Sequence, residues 1–571
     1  MKVMSAAAAA TTLLVSAATA QSSYGSANSS GLPVVDLGYQ IQQATGFNET
    51  GRYYNFSDVR FAAPPTGKNR FRAPQPPATN RSSIQHGGEQ RICPQAGPAW
   101  LLGTTQFLPE YLAGQTEFNS SSFNTSDTDG QLPPPAPGTT EDCLFLDLLV
   151  PEQIFQDAGK GYGAPVLVWI YGGGYTVGSK SGIAPAGLLN RSSEWTNHDE
   201  VIFVALNYRL GAFGFLSGPT FQQDGTANAG LLDQRFALEW VQQHIGKFGG
   251  DPNRVTVFGE SAGGGSIMHQ ITAYGGRNGP APFQQAVPQS PGYFPYVSNQ
   301  QQEQYFNEFL GLLNVTSISQ ARELPSAALQ QANAIQVARS PYGQFTYGPT
   351  VDGDFAPQTA SELLLHGLFD KNIRVMVGHN ADEGLLFTSP FIQNNSAFDS
   401  FISSSFPSIR GWPDVMDYIT TTLYPPIFDG SQAQGYTNQI ARASALIAEL
   451  VFTCNTFYLD NAYNNKTYSY LFAVPPALHG QDVSSTFYPG QSDIYGSLIV
   501  PEIAIALQEY ITDFAIYGRP NGGDNAAEGI PYFNMYGSNA TVQRLGADGI
   551  RQVRDPAANA RCNWWQKALY V

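Results

Sequence analysis

The chain is short of charge. Only 13% of its 571 residues are Asp, Glu, Lys or Arg, and 29 basic residues face 45 acidic ones, for a net charge of -16. A surface of that sign repels phosphate, which excludes nucleic acid and anionic lipid as partners. Cysteine is scarce too: Cys93, Cys143, Cys454 and Cys562 are the whole complement, and no two are close enough in sequence to start a zinc site. The seven histidines show no two-turn helical pairing with a third ligand, so no metal and no other cofactor is expected. Beyond the N-terminal leader, no stretch approaches the roughly 20 consecutive apolar residues that cross a bilayer, which excludes a transmembrane anchor.

What is present begins with a leader. Lys2, an apolar run from Ala6 to Ala18 and the small-residue ending Ala18-Thr19-Ala20 have the layout of a secretory signal cleaved before Gln21. Ser22 to Ser30 then reads as a disordered lead-in. Asn28, Asn48, Asn55, Asn80, Asn119, Asn124, Asn190, Asn314, Asn394, Asn465 and Asn539 each open an N-x-S/T triplet, so the reading is a secreted, extracellular protein carrying N-glycans. In that setting the four cysteines form disulfides, and three pairings are open to them.

Along the mature chain, Leu37 to Phe61 alternates in short stretches and predicts a small antiparallel ribbon. The span from Cys93 to Cys143 is the least regular, with Ser120 to Ser122 and Pro133 to Pro135, and reads as a long loop. Its first part, with Trp100, Leu101, Leu102, Phe107, Leu108 and Leu112, is apolar enough to cover a cleft as a lid; the alternative is a surface loop with one docked end. Apolar runs then alternate with helical stretches. Pro165–Ile170, Val201–Leu206, Val255–Phe258, Ala286–Val287, Ile373–Val377 and Tyr468–Val474 read as strands, and Leu231 to Gly246 as a helix with Leu232, Phe236, Trp240, Val241 and Ile245 on one apolar stripe. Continuous apolar strands separated by helices predict an α/β fold, with a large mostly parallel sheet covered on both faces. No composition break divides it, so residues 21–571 are expected to form a single catalytic domain.

The stretch Gly259-Glu260-Ser261-Ala262-Gly263 stands between the strand ending at Phe258 and a helix. Glycines on both sides of Ser261 let strand and helix approach closely, forcing the serine into a strained turn that presents its hydroxyl at the sheet edge. The plain alternative is a glycine-rich loop before an ordinary helix. A serine hydroxyl needs a general base, and the base needs a group that holds its tautomer. In α/β-hydrolase folds these arrive in the order Ser, acid, His, on loops after successive strands. His479 follows the strand ending at Val474, whereas His269 and His244 lie on helices. Asp382 and Glu383 both follow the strand ending at Val377 and compete for the acid role. Gly172-Gly173-Gly174, after the early strand, can offer unobstructed N–H groups to an oxyanion, with the N–H of Ala262 converging from the other side.

Beyond these, Arg60-Phe61-Ala62-Ala63-Pro64-Pro65, Glu141-Asp142-Cys143, Trp169-Ile170-Tyr171, Asn207-Tyr208-Arg209-Leu210-Gly211 and Asp382-Glu383-Gly384 complete a pattern spread over nearly the whole mature chain. That pattern resembles the type-B carboxylesterase family, which includes cholinesterases and secreted fungal lipases. The resemblance implies Ser261 as nucleophile, Glu383 as acid, His479 as base, and Gly173, Gly174 and Ala262 as oxyanion donors. It implies pairing of Cys93 with Cys143 and of Cys454 with Cys562, and ion pairs Arg70–Glu141 and Arg209–Asp233. The expected activity is cleavage of a small-molecule or lipid carboxylic ester through an acyl-enzyme; a lid-gated lipase or sterol esterase is the alternative, and a non-catalytic binding protein on the same fold the reading from another class. Gln289-Ser290-Pro291-Gly292 departs from the family's turn and leaves support of the acid open.

Overall fold

The computed structural model describes residues 31–119, 134–161, 163–194, 200–296, 298–432, 435–490, 499–522 and 529–567. The secretory leader, the Ser22–Ser30 lead-in, Ser120 to Ser122, Pro133 and the Asn28 and Asn124 triplets lie outside them.

Among the described residues, an eleven-stranded sheet organises the fold. From one edge to the other its strands are Gly549–Arg554, Thr541–Gly546, Tyr468–Ala473, Arg374–Asn380, Gln285–Gln289, Gly250–Glu260, Ala164–Ile170, Ile202–Leu206, Phe145–Pro151, Tyr53–Arg60 and Gly46–Asn48. From Thr541–Gly546 to Ile202–Leu206 neighbours run parallel, and the outer pairs are antiparallel. Each predicted apolar run is one of these strands. Ala164–Ile170 and Ile202–Leu206 are buried at every position, as strands covered on both faces must be. Val255, Val257 and Phe258 are fully buried, each contributing about 1.5–3 kcal/mol of apolar burial. One continuous hydrophobic cluster runs from Val35 to Trp565.

The expected N-terminal ribbon is divided between two sheets. Val34–Asp36 and Gln40–Gln43 pair antiparallel, and Asn80–Gln85 joins them in parallel as a third strand. The hairpin Gly46–Asn48 and Tyr53–Arg60 extends the central sheet instead, because Tyr53, Phe56 and Val59 need a buried surface that a two-stranded ribbon lacks. Asn80–Gln85 carried no strand signal: apart from Ile84 its residues are polar, and all but Gln85 are exposed.

Two other elements differ from the sequence reading. Of the expected stripe, Trp240, Val241 and Ile245 are buried while Leu232 and Phe236 are only half-buried, and the helix Ala229–His244 also buries Leu231, Asp233, Gln234, Ala237 and Leu238. Polar groups turn inward because they have partners there: Arg209 clasps Asp233 at 2.7 and 2.8 Å, and Gln234 donates to Ser266 at 2.9 Å. Within the span closed by Cys93 and Cys143, Trp100–Leu112 is a helix, not loop, with Trp100, Leu101, Phe107 and Leu108 buried. Gly103 and Pro109 hid it from a propensity reading. Cys454 bonds Cys562, and Arg70 clasps Glu141 at 2.8 Å twice. Gln439–Ala462 is long and apolar enough to span a membrane, but 78% of its apolar 18-residue stretch is buried inside the protein, as in a core helix. Of the N-x-S/T triplets, Asn55 is buried within a sheet strand, whereas Asn80, Asn314, Asn394 and Asn539 are exposed.

Candidate active site

The strand Gly250–Glu260 ends one residue before Ser261, and the helix Ala262–Thr272 begins one residue after it. Ser261 sits between them at φ 58°, a conformation that disfavours any residue with a Cβ. The glycines make this turn possible. A Cβ on Gly259 would lie 2.4 Å from the Ile170 carbonyl oxygen and one on Gly263 only 2.0 Å from it, so the helix start packs backbone against the neighbouring strand. Further bonds hold the turn: Ser261 N–H donates to the Gln289 carbonyl at 3.0 Å, and the Ser261 carbonyl accepts from Gly265 and Gly292 at 2.8 and 2.9 Å.

His479 and Glu383 come from loops after the strands Tyr468–Ala473 and Arg374–Asn380, which are parallel neighbours. The two loops are joined to each other. Asp382 pairs with Leu478 in an isolated bridge, its N–H donating to the Ala477 carbonyl at 2.8 Å. That bridge turns Asp382 away from the histidine, toward the Ser444 hydroxyl at 3.4 Å, and places its neighbour Glu383 against the imidazole. His479 Nδ1 and Glu383 Oε2 form a very short hydrogen bond, and His479 Nε2 lies 2.7 Å from Ser261 Oγ. All three side chains are buried. The local geometry thus separates the two adjacent carboxylates that the sequence left in competition.

Support of Glu383 comes from inside the departing turn. Ser290 Oγ donates to Glu383 Oε1 at 2.6 Å, and the Asn380 N–H reaches the same oxygen at 2.5 Å. Ser290 itself has φ 42°, held by its N–H bond to the Gly378 carbonyl at 2.7 Å. Burial opposes ionisation of Glu383, but His479, Ser290 and Asn380 outweigh it and hold the carboxyl below its usual range. For His479 burial likewise disfavours the charged form, and the carboxylates of Glu260 and Glu383 reverse this, raising its pKa above the ordinary 6.5.

Gly172, Gly173 and Gly174 form a turn against the serine. A Cβ on Gly172 would meet Ser261 Cβ at 2.9 Å, and one on Gly174 would meet the Phe345 ring at 2.3 Å. Gly173 and Gly174 also have φ of 104° and 61°. Gly174 and Ala262 line the cavity beside Ser261, and the Gly173 carbonyl is occupied by the Thr176 and Val177 N–H groups at 3.1 Å.

Sequence reasoning quoted Glu260 and Ser290 without giving them a place in the site, and it passed over Asp482. Glu260 Oε1 lies 3.2 Å from His479 Nε2 and makes no hydrogen bond among the described residues; burial pushes its carboxyl up to about 8. Asp482, also raised by burial, accepts from Tyr470 at 2.6 Å, Asn380 at 3.1 Å and Gln289 at 3.3 Å. The available signal was Glu260, a carboxylate directly before Ser261 at the end of an apolar strand; Asp482 stands three residues after His479 in a polar stretch that offered none. The arrangement gives Ser261 a base aligned by a buried carboxylate, with backbone N–H groups at hand for developing negative charge.

A model of the carboxylesterase family matches residues 41–565. Carboxylesterase patB of Penicillium expansum is 41% identical over 94% of this chain and 96% of its own length. Carboxylesterase patB of Aspergillus clavatus is 42% identical, with 96% and 98% covered. Lipase 1 of Geotrichum candidum is 30% identical over 85% of this chain and 87% of its own. Among solved structures, Aspergillus niger EstA matches with a TM-score of 0.75 at 24% identity, covering 95% of this chain and 99% of that one, which shows a common fold.

Proposed function

The chain belongs to the carboxylesterase family and is a carboxylic ester hydrolase; from that premise we propose that it is a secreted, N-glycosylated enzyme of one catalytic domain, residues 21–571, working through an acyl-enzyme on Ser261. His479 Nε2 takes the proton as Ser261 Oγ bonds to the ester carbonyl carbon. The tetrahedral oxyanion is held by the N–H groups of Gly173, Gly174 and Ala262, each donor worth about 3 kcal/mol in the transition state. The carbon–oxygen bond to the alcohol then breaks, and His479 returns the proton to the leaving oxygen. Water repeats the sequence on the acyl-enzyme, releasing the acid and restoring Ser261. Throughout, Glu383 keeps His479 in the tautomer with hydrogen on Nδ1 and stabilises its imidazolium.

The observation that carries this reading is the hydrogen-bonded series Glu383, His479, Ser261, with the serine held at φ 58°. Secretion is supported by the leader composition and the two disulfides, and by likeness to a secreted lipase of Arthroderma benhamiae, 33% identical over 75% of this chain. The glycans belong on exposed triplets such as Asn80, Asn314, Asn394 and Asn539. A fluorophosphonate probe tests the chemistry: it should label the wild type stoichiometrically and leave Ser261→Ala unlabelled. Equal labelling of both, or none of a folded wild type, would sink the proposal.

A further inference from the structure

The relatives' names divide between carboxylesterase and lipase, and the cavity over Ser261 bears on that division. One wall is a row of phenylalanines. Phe452 lies 4.2 Å and Phe387 5.0 Å from the His479 ring, with 5.1 Å between their own centroids. Phe345 continues the row 6.3 Å from Phe387, its ring filling the space where a Gly174 side chain would be. The wall therefore abuts both the base and the oxyanion turn.

The wall is buttressed from behind. Trp100, an aromatic residue of the expected lid, does not line the cavity: it packs 5.5 Å from Phe345 and 6.1 Å from Phe387 and donates its indole N–H to the Gln344 carbonyl at 2.7 Å. Thr104 Oγ1 and the Tyr342 hydroxyl are 2.7 Å apart, and Ala99 N–H donates to the Ala338 carbonyl at 3.1 Å. These bonds fasten the helix Trp100–Leu112 to the segment that carries Phe345, so swinging the helix away would break them all. Across the cavity, the Tyr175 hydroxyl is fixed to the Gly292 carbonyl at 3.0 Å, and Tyr293 packs edge-on against His269 at 4.6 Å. Close-packed rings yield little room.

The space beside Ser261 is about 340 Å³, part of it open to solvent. At the roughly 30 Å³ that a water-sized group occupies in a liquid, this accommodates about eleven non-hydrogen atoms. An acetyl, butanoyl or benzoyl group is within that volume; a palmitoyl or oleoyl chain is larger. We infer that this enzyme acts on esters of compact acids, up to benzoyl in size, and that the Phe345–Phe387–Phe452 wall, backed by Trp100, sets the limit. The inference rests on Ser261 as the acylated residue.

A panel of p-nitrophenyl acetate, butanoate, benzoate, octanoate and palmitate, with a triolein emulsion, tests it alongside labelling by a small-alkyl fluorophosphonate. Wild-type kcat/KM should be highest among the compact esters and at least 100-fold lower for palmitate, with no rise on the emulsion. Phe387→Ala and Trp100→Ala, each shown to be folded by rapid labelling, should move the preference toward octanoate and palmitate; Phe387→Leu should do so more weakly and serves if the larger truncations do not fold. Palmitate or triolein cleaved as well as butanoate, or an unchanged preference in folded wall variants, overturns the inference while leaving the acyl-enzyme intact. Absence of both labelling and turnover in folded wild type removes the acyl-enzyme reading, and this inference with it.

Discussion

Replacing Glu383 by Gln changes one atom and should nearly abolish turnover, for a reason this site makes explicit. Glu383 Oε1 accepts from Ser290 Oγ at 2.6 Å and from the Asn380 N–H at 2.5 Å. Both donors are fixed, one on a turn held at φ 42° and one on the backbone at the strand end. A glutamine must therefore keep its oxygen toward them, since leaving two buried donors facing an NH₂ costs about 1–3 kcal/mol for each. Its NH₂ then takes the Oε2 position, facing His479 Nδ1. The imidazole can accept there only by moving its hydrogen to Nε2, and Nε2 can no longer take a proton from Ser261. Loss of the correct tautomer in a comparable triad lowers kcat by about 10⁴, equivalent to roughly 5.5 kcal/mol, and a similar fall is expected here with KM little changed. Asp382→Asn is the control. Asp382 faces Ser444, and its replacement should alter kcat by less than about threefold, well under 1 kcal/mol. Steady-state kinetics on a soluble ester, with fluorophosphonate labelling rates, measure both. Retention of more than a tenth of wild-type kcat in Glu383→Gln, or an equal loss in Asp382→Asn, would refute the reasoning.

Activity should fall as pH drops through the His479 pKa, because only neutral imidazole can act as base, and the midpoint should lie above 6.5. A raised folded-state pKa means that folding favours the protonated form, so this group's stabilising contribution is present at low pH and declines as pH rises through that value, opposite to the activity. Glu260→Gln removes a buried acid 3.2 Å from Nε2, whose ionised form and the imidazolium stabilise each other, and should move the acid limb of kcat/KM to lower pH; a limb that stays in place would exclude Glu260 as a source of the shift. Gly263→Ala would thrust a methyl to 2.0 Å from the Ile170 carbonyl and should lower stability by about 3 kcal/mol or more in urea unfolding, whereas normal stability would contradict the backbone-to-backbone packing of the turn. Removing the Cys93–Cys143 disulfide, which closes 50 residues, by a double Ser substitution should cost about 4 kcal/mol on the loop-entropy account; a loss below about 1 kcal/mol would show that the unfolded chain is already constrained there.

Much of this protein was legible in residue order. Local pattern located the strands around the site, because a strand buried on both faces must be apolar at consecutive positions, as Ala164–Ile170 and Ile202–Leu206 are. It also picked out the glycines around Ser261 and the loop containing His479, since a tight turn and a strand end are properties of neighbouring residues. Whatever depended on a distant partner stayed hidden. Asp382 and Glu383 differ only in which one the bridge to Leu478 turns toward the imidazole, and that bridge joins residues nearly a hundred positions apart. Polar residues on the helix Ala229–His244 face inward because Arg209 and Ser266 meet them there, and Trp100 stands behind the cavity wall because Gln344 binds its N–H. Periodicity reports how a segment divides apolar from polar; only the folded packing decides which groups meet at that boundary, and so which carboxylate serves the histidine and how large an acid reaches the serine.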